Sequence, residues 1–194
     1  MAWVLGVAGG LIGLWAAYTA VYEGGLETPD YDVVRSDGSI EVRDYPPFAV
    51  ASTEMAAGSE AGQGFRVLAG YIFGGNRSQE SMAMTAPVFQ QYGESETMAF
   101  VMPQGRAISE LPQPNSDSVG LSELRLGRMV VWRFAGRGQK ARFESAEVKL
   151  RTWMDGNGLQ ATGEAMYAQY NSPTAFPPLR RNEVMIPVAQ PAAE

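Results

Sequence analysis

Cysteine and histidine are both missing from the 194-residue chain. Without cysteine there is no disulfide, no thiolate nucleophile and no cysteine-ligated zinc or iron–sulfur site. Without histidine the Ser-His-Asp and Cys-His arrangements of nucleophilic catalysis are lost. So are the usual general base near neutral pH and the commonest metal ligand. Positive charge is scarce: 15 Lys and Arg stand against 21 Asp and Glu, a net charge of −6, with no contiguous basic block. Electrostatic binding to nucleic acid needs a basic face and is not expected.

What is present begins with an uncharged run, residues 3–22. At 1.5 Å per residue, 20 helical residues reach ~30 Å, the thickness of a bilayer core. A cleaved signal peptide would carry a basic start, a shorter apolar run and small residues before the cut. None of these is clear here, and residues 1–23 read as an uncleaved transmembrane anchor. Gly6, Gly10, Gly13 and Ala17 fall on one stripe, and small residues at this spacing let a second membrane helix approach closely. A transmembrane-helix partner in a larger complex is therefore expected. Lys and Arg near the run are few, and the reading of sidedness is a single-pass protein with its globular part outside the cytoplasm. Residues 24–30 read as a linker, 31–188 as one globular domain, and 189–194 as a disordered tail.

Inside the domain, two amphipathic helices punctuate runs of strand-like alternation. The first covers residues 59–73, with Ala61, Phe65, Leu68 and Ile72 on its expected buried face. Gly74-Gly75-Asn76 ends it, and a compact apolar segment, residues 82–88, follows. The second helix covers 140–154, with Phe143, Ala146, Leu150 and Trp153 on its buried side. Strands are expected at 31–35, 40–45, 48–55, 97–102, 120–124, 129–134, 159–170 and 184–188, with a hairpin turn at Asp37-Gly38. Strands, helix, strands occur twice over. The fold class is α+β: duplicated strand-helix-strand halves forming a distorted antiparallel β-barrel or sheet with two flanking helices, plus the N-terminal helix.

An ordered set of motifs resembles the SOUL heme-binding protein family. It comprises Phe65, Leu68, Tyr71-Ile72, Gly74 and Asn76, then Met84-Thr85-Ala86-Pro87-Val88. It continues through Met102-Pro103, Leu111-Pro112-Gln113-Pro114, Phe134-Ala135-Gly136 and Leu150-Arg151-Thr152-Trp153-Met154. Tyr170-Asn171-Ser172-Pro173 and Arg180-Arg181-Asn182-Glu183-Val184 close it. The resemblance implies a distorted barrel flanked by two helices. It also implies a non-covalently held heme or other tetrapyrrole in a cleft beside the first helix, around Phe65, Leu68 and Ile72. Arg66 is the cation there, with Arg77 in the following loop. Met84 is a candidate contact, and Met82, Met84 or a tyrosine are the side chains that could replace the missing histidine as ligand.

Catalytic machinery is not expected. Glu94 with Glu96 and Glu144 with Glu147 read as solvated faces, and the glycines of residues 58–64 fit neither phosphate-loop nor dinucleotide spacing. No metal site is read. Two functions stay open. One is a membrane-anchored domain that binds a tetrapyrrole by apolar contact, without histidine ligation and without enzymatic activity. The other is an accessory or scaffold subunit of an integral membrane complex, docked through its glycine-striped helix.

Overall fold

The structure, a computed structural model, describes residues 13–56, 61–92 and 96–190. Nine strands form one antiparallel sheet. They are β1 (Asp32–Asp37), β2 (Ile40–Tyr45), β3 (Phe48–Met55), β4 (Val88–Gln91), β5 (Glu96–Val101), β6 (Gly120–Leu124), β7 (Gly127–Phe134), β8 (Met166–Gln169) and β9 (Asn182–Pro187). Helix α1 (Ala61–Ile72) lies between β3 and β4, and α2 (Lys140–Gly156) between β7 and β8. The strand order is β1-β2-β7-β9-β8-β4-β5-β3-β6.

This order contains the expected duplication. Matching β2, β3, α1, β4, β5 with β6, β7, α2, β8, β9 reverses the order onto itself, with β1 left over. The symmetric centre is the β4–β8 pair, where Phe89 faces Ala168. The halves do not stand side by side. β2 pairs with β7 of the second half, and β6 pairs with β3 of the first. Each half lends its leading strand to the other. The sheet remains open, with β1 and β6 as its edges.

Both faces of the central strands are buried, so alternation sorts apolar residues between cores. On β9, Val184 and Ile186 pack under α2 with Phe143, Leu150 and Met154. Met185, between them, faces the opposite side with Met129, Val131, Phe89 and Ala168. Under α1, Leu68, Tyr71 and Ile72 pack on Ala51, Met98 and Phe100. At Gly64 an added Cβ would lie 2.9 Å from Met55 Sδ, so a glycine lets α1 approach β3 closely.

The α1–β4 connection is tied down by a buried asparagine. Asn76 Nδ2 donates to the carbonyls of Tyr71 at 3.1 Å and Glu80 at 2.7 Å, and its Oδ1 accepts from Glu80 N at 3.0 Å. Gly74, at φ +101°, makes the preceding turn. Thr85 Oγ1 donates to Val101 O at 2.6 Å, holding the segment that leads into β4.

Several expectations need correcting. The long strand over residues 159–170 is a bridge at Ala161 followed by the short β8. Phe65 is not on the buried face of α1; Gly64, Leu68, Tyr71 and Ile72 are, and Phe65 is 37% exposed. Residues 24–30 are not a free tether. Glu27 pairs with Thr85, Ala86 N donates to Glu27 O at 2.8 Å, Gln104 Nε2 donates to Thr28 O at 3.0 Å, and Pro29 is buried.

Of the expected anchor, residues 1–12, including Gly6 and Gly10, lie outside the described residues. Residues 13–18 are α-helical and continue as a π-helical turn, Thr19–Glu23. No helix among the described residues is long and apolar enough to cross a membrane. Gly13 and Ala17 are exposed, with nothing within 4 Å of an added Cβ at Gly13. Of the expected tail, residues 191–194 likewise lie outside the described residues.

Candidate functional site

The site is assembled around one end of the β4–β8 pair. The N-terminal segment is docked there by three of its side chains. Trp15 Nε1 donates to Thr174 O at 2.8 Å, and its ring meets Phe176 edge-on at 5.0 Å. Thr19 Oγ1 accepts from Phe176 N at 2.9 Å. The Glu23 carboxylate accepts from Ser172 Oγ at 2.6 Å and Ser172 N at 3.2 Å. Thr19 and Glu23 are consequently buried. Four residues apart on a helix, the two lie on one face, which explains why a polar pair interrupts an otherwise apolar surface.

A cleft of about 480 Å³ opens between this segment and the domain. Tyr18, Tyr22 and Leu26 line it from the N-terminal segment, and Phe65 and Phe73 from α1 and its end. Met84, Thr85, Ala86 and Val88 form another part of the wall, and Gln169 to Thr174 another. Its volume and mostly apolar surface match small-molecule sites. The Tyr18 and Tyr22 rings stack with centroids 5.3 Å apart and planes 13° apart. Both tyrosines and Phe73 are exposed at the cleft.

The residues singled out in the sequence divide. Phe65 and Met84 line the cleft. Leu68 and Ile72 have no accessible surface and belong to the core under α1. Arg66 and Arg77 are exposed and do not line the cleft. Met82 is buried in the core. The cleft residues that sequence reading missed are Tyr18, Tyr22, Glu23 and Phe73. They were assigned to an anchor and to a helix end, and no local pattern reveals that the chain docks on the loop at residues 172–176. The motif residues Tyr170 to Ser172 carried the available signal for the other wall.

Tyr170 connects the cleft to a buried charge cluster. Its hydroxyl donates to Glu183 Oε2 at 2.8 Å. Glu183 is fully buried and also receives two bonds from Arg43, at 3.0 and 3.1 Å, and one from Arg181 Nε at 2.9 Å. Arg43 further donates to Tyr45 Oη at 3.0 Å and lies 4.3 Å over the Tyr31 ring. Arg181 lies 3.8 Å over the Tyr170 ring. Burial pushes the Glu183 carboxyl upward, but the two guanidinium groups outweigh it and hold the pKa below its ordinary value. Burial, then the Glu183 charge, pushes the Tyr170 phenol well above its usual range. Tyr45 is raised as well, chiefly by burial.

The carboxylate pairs are not simple solvated faces. Glu96 is buried on β5, while Glu94 lies outside the described residues. Glu147 accepts from Arg151 Nε at 2.8 Å and Tyr167 Oη at 2.7 Å, a structural tie between α2 and β8. The described residues bring together no group of three or more carboxylates that could hold a metal ion.

The cleft is walled mainly by apolar side chains. Its aromatic and aliphatic lining supplies van der Waals contact, and Met84 is a half-buried methionine on its wall, whereas Met98 belongs chiefly to the core under α1. Among the described residues no lysine or arginine lines it; the polar side chains there are Glu23, Thr85, Gln90, Gln169, Asn171, Ser172 and Thr174.

A duplicated single-sheet α+β domain with an apolar cleft over its central strand pair defines the class of this protein. The chain belongs to the SOUL heme-binding protein family, whose model matches residues 26–187. No curated protein matches it. Among solved structures, a protein described as a hydrolase from Listeria innocua superposes with a TM-score of 0.59 at 14% identity, covering 80% of this chain and 94% of its own. An uncharacterized conserved protein from Listeria innocua gives 0.60 at 13% identity, covering 78% and 92%. The C-terminal domain of EcmrR gives 0.57 at 14% identity, covering 82% and 98%. At these identities the likeness is one of fold.

Proposed function

We propose that the protein is a membrane-anchored binding protein, without catalytic activity, that holds a tetrapyrrole in the cleft by ring contacts. One observation carries this reading. The two motif segments 84–88 and 170–173, far apart in sequence, form neighbouring parts of the same wall, and Phe65 of α1 joins them. Membership of a heme-binding family supplies the ligand class. The tetrapyrrole, when bound, supplies its own light absorption and redox chemistry. The chain's residues do the rest: Tyr18, Tyr22, Phe65 and Phe73 bury the ring, and Asn171 meets its polar edge. Ligation by histidine is excluded by composition.

The test is a titration of the full chain in mild detergent with hemin and, separately, with metal-free protoporphyrin. Both are expected to bind saturably with similar affinity, because the grip is on the ring. Tyr22→Asp and Phe65→Asp should each weaken both by at least about tenfold, roughly the loss of one buried aromatic contact. Arg66→Ala should leave both unchanged, since Arg66 does not line the cleft. A titration without a saturable spectral change overturns the proposal.

The accessory-subunit reading keeps one supporting observation. Gly13 and Ala17 present small, uncovered surface on the N-terminal helix, as a helix-packing face would. Gly10→Leu, on the same stripe, should then release a co-purifying membrane partner while leaving the domain's melting temperature unchanged. Retention of the partner counts against that reading.

A further inference from the structure

We propose that the face carrying Arg137, Arg142 and Arg180 rests on a bilayer and binds its anionic phospholipid headgroups. The chain is acidic overall, so the cluster is a product of folding. At the β7–α2 turn, Gly136 takes φ +103° and sends the chain from Phe134 toward α2. Arg142 folds back over this turn: its NH2 donates to Ala135 O at 3.2 Å, and its guanidinium lies 5.8 Å over the Phe134 ring. Arg137 and Arg142 share a shallow, open concavity with Pro177 and Pro178. Arg180 follows those prolines, and Arg137 is close enough to oppose its charge.

Among the described residues the three cations form no ion pair with a carboxylate. Among the described residues, the ion pairs are formed by Arg43, Arg106, Arg125, Arg128, Arg151 and Arg181. Arg137 and Arg142 are exposed. Arg180 is half-buried and donates only to carbonyls, Ala175 O at 2.9 Å and Pro173 O at 2.5 Å. Glu23 is near enough to favour the Arg180 charge, but its carboxylate is bonded to Ser172. Nearby positive charges without counter-ions favour an anionic partner.

The partner's nature follows from what adjoins the cluster. The carbonyls that hold Arg180 belong to the loop that holds Trp15, through Thr174 O and Phe176. Arg180 and the indole are thus held by one loop, residues 173–176, and Pro177 and Pro178, which follow it, adjoin Arg137 and Arg142. Trp15 is part of the uncharged run at residues 3–22, and Leu14 and Leu179 are exposed apolar side chains beside these contacts in sequence. Tryptophan, exposed leucine and unpaired arginine together suit a headgroup layer. The inference rests on reading that run as a membrane segment.

The experiment is flotation of the full chain with vesicles of phosphatidylcholine alone or with about one-quarter phosphatidylglycerol, at low and high salt. At about 1 kcal/mol per cation near an anionic surface, the three arginines predict at least a tenfold higher partition coefficient on the anionic vesicles at low salt. High salt should remove the gain. Arg137→Glu with Arg142→Glu should abolish it, while Arg66→Glu with Arg77→Glu, an equal charge change at exposed residues elsewhere, should keep it. Thermal melting checks the fold. If the reversal pair does not fold, Arg137→Gln with Arg142→Gln is used and should lose most of the gain. Equal partitioning onto both vesicle types, or equal loss in the control pair, overturns the headgroup surface and leaves the anchor standing. Absence of binding to either vesicle type overturns both. Competition by soluble polyglutamate as effective as that by anionic vesicles would assign the face to an acidic protein and overturn the bilayer assignment.

Discussion

Glu183 is the residue on which the domain's interior electrostatics turn. Replacing it by glutamine leaves the buried Arg43 with Glu41 alone as its anion and takes away the carboxylate that Arg181 pairs with. Removing one partner of a buried ion pair costs about 3–5 kcal/mol, and denaturant unfolding of Glu183→Gln should show a loss of that size. The pH dependence follows from the same group. Its folded pKa lies below the ordinary 4.5, so its contribution is complete above that value and is lost as pH falls through the folded pKa. Melting temperature should drop on acidification below about pH 4.5, and Glu183→Gln should flatten that part of the curve. Tyr45 and Tyr170 act in the opposite direction. Their folded pKa values are raised above 10.0, so their contribution is complete below pH 10 and is lost as pH rises beyond it. Half of this network was legible: Arg181 and Glu183 stand in a recognisable motif. Arg43, 140 residues away, was not, because nothing local marks an arginine on an alternating strand as buried.

At the scale of elements, α1 shows how far periodicity reaches. Spacing located the end of the helix to within one residue, and the expected start at Ser59 lies outside the described residues. It placed Leu68 and Ile72 correctly in the core but put Phe65 there too. An apolar helix stripe does not say whether its margin meets core or cleft. The consequence is measurable. Leu68→Ala should cost about 2–5 kcal/mol, the range for a fully buried leucine. Phe65→Ala should cost much less in unfolding experiments while weakening porphyrin binding. The docking of the N-terminal segment was hidden for a related reason. Its apolar run fits a membrane span, and its polar interruptions at Thr19 and Glu23 acquire meaning only through Ser172 and Phe176. Breaking that dock by Glu23→Ala should loosen the wall carrying Tyr22. Hydrogen exchange at residues 171–176 should accelerate, with the sheet amides unchanged.

The whole molecule repeats a motif whose order was visible in the chain: strands, helix, strands, twice. The duplication could be read because each half carries its own amphipathic helix and hairpin signals. The pairing of β2 with β7 and β6 with β3 could not, since strand register depends on partners that periodicity does not name. The cleft is likewise a property of the assembled chain. It exists where residues 18–26, 61–73, 84–90 and 169–174 converge.

The reciprocal loan of leading strands means that neither repeat is a self-sufficient folding unit. Cut between β5 and β6, each fragment would display one orphan ribbon and two vacant sheet borders, at β3 and β4 in the first and at β7 and β8 in the second, and the two should recombine by mutual complementation. By the same geometry, two copies of an ancestral single repeat would interlock as a homodimer about an axis between β4 and β8. The present chain has the topology of such a dimer joined into one polypeptide. Its two helices differ in what they cover: the cleft lies beside α1, while Phe143, Leu150 and Met154 fill the core under α2.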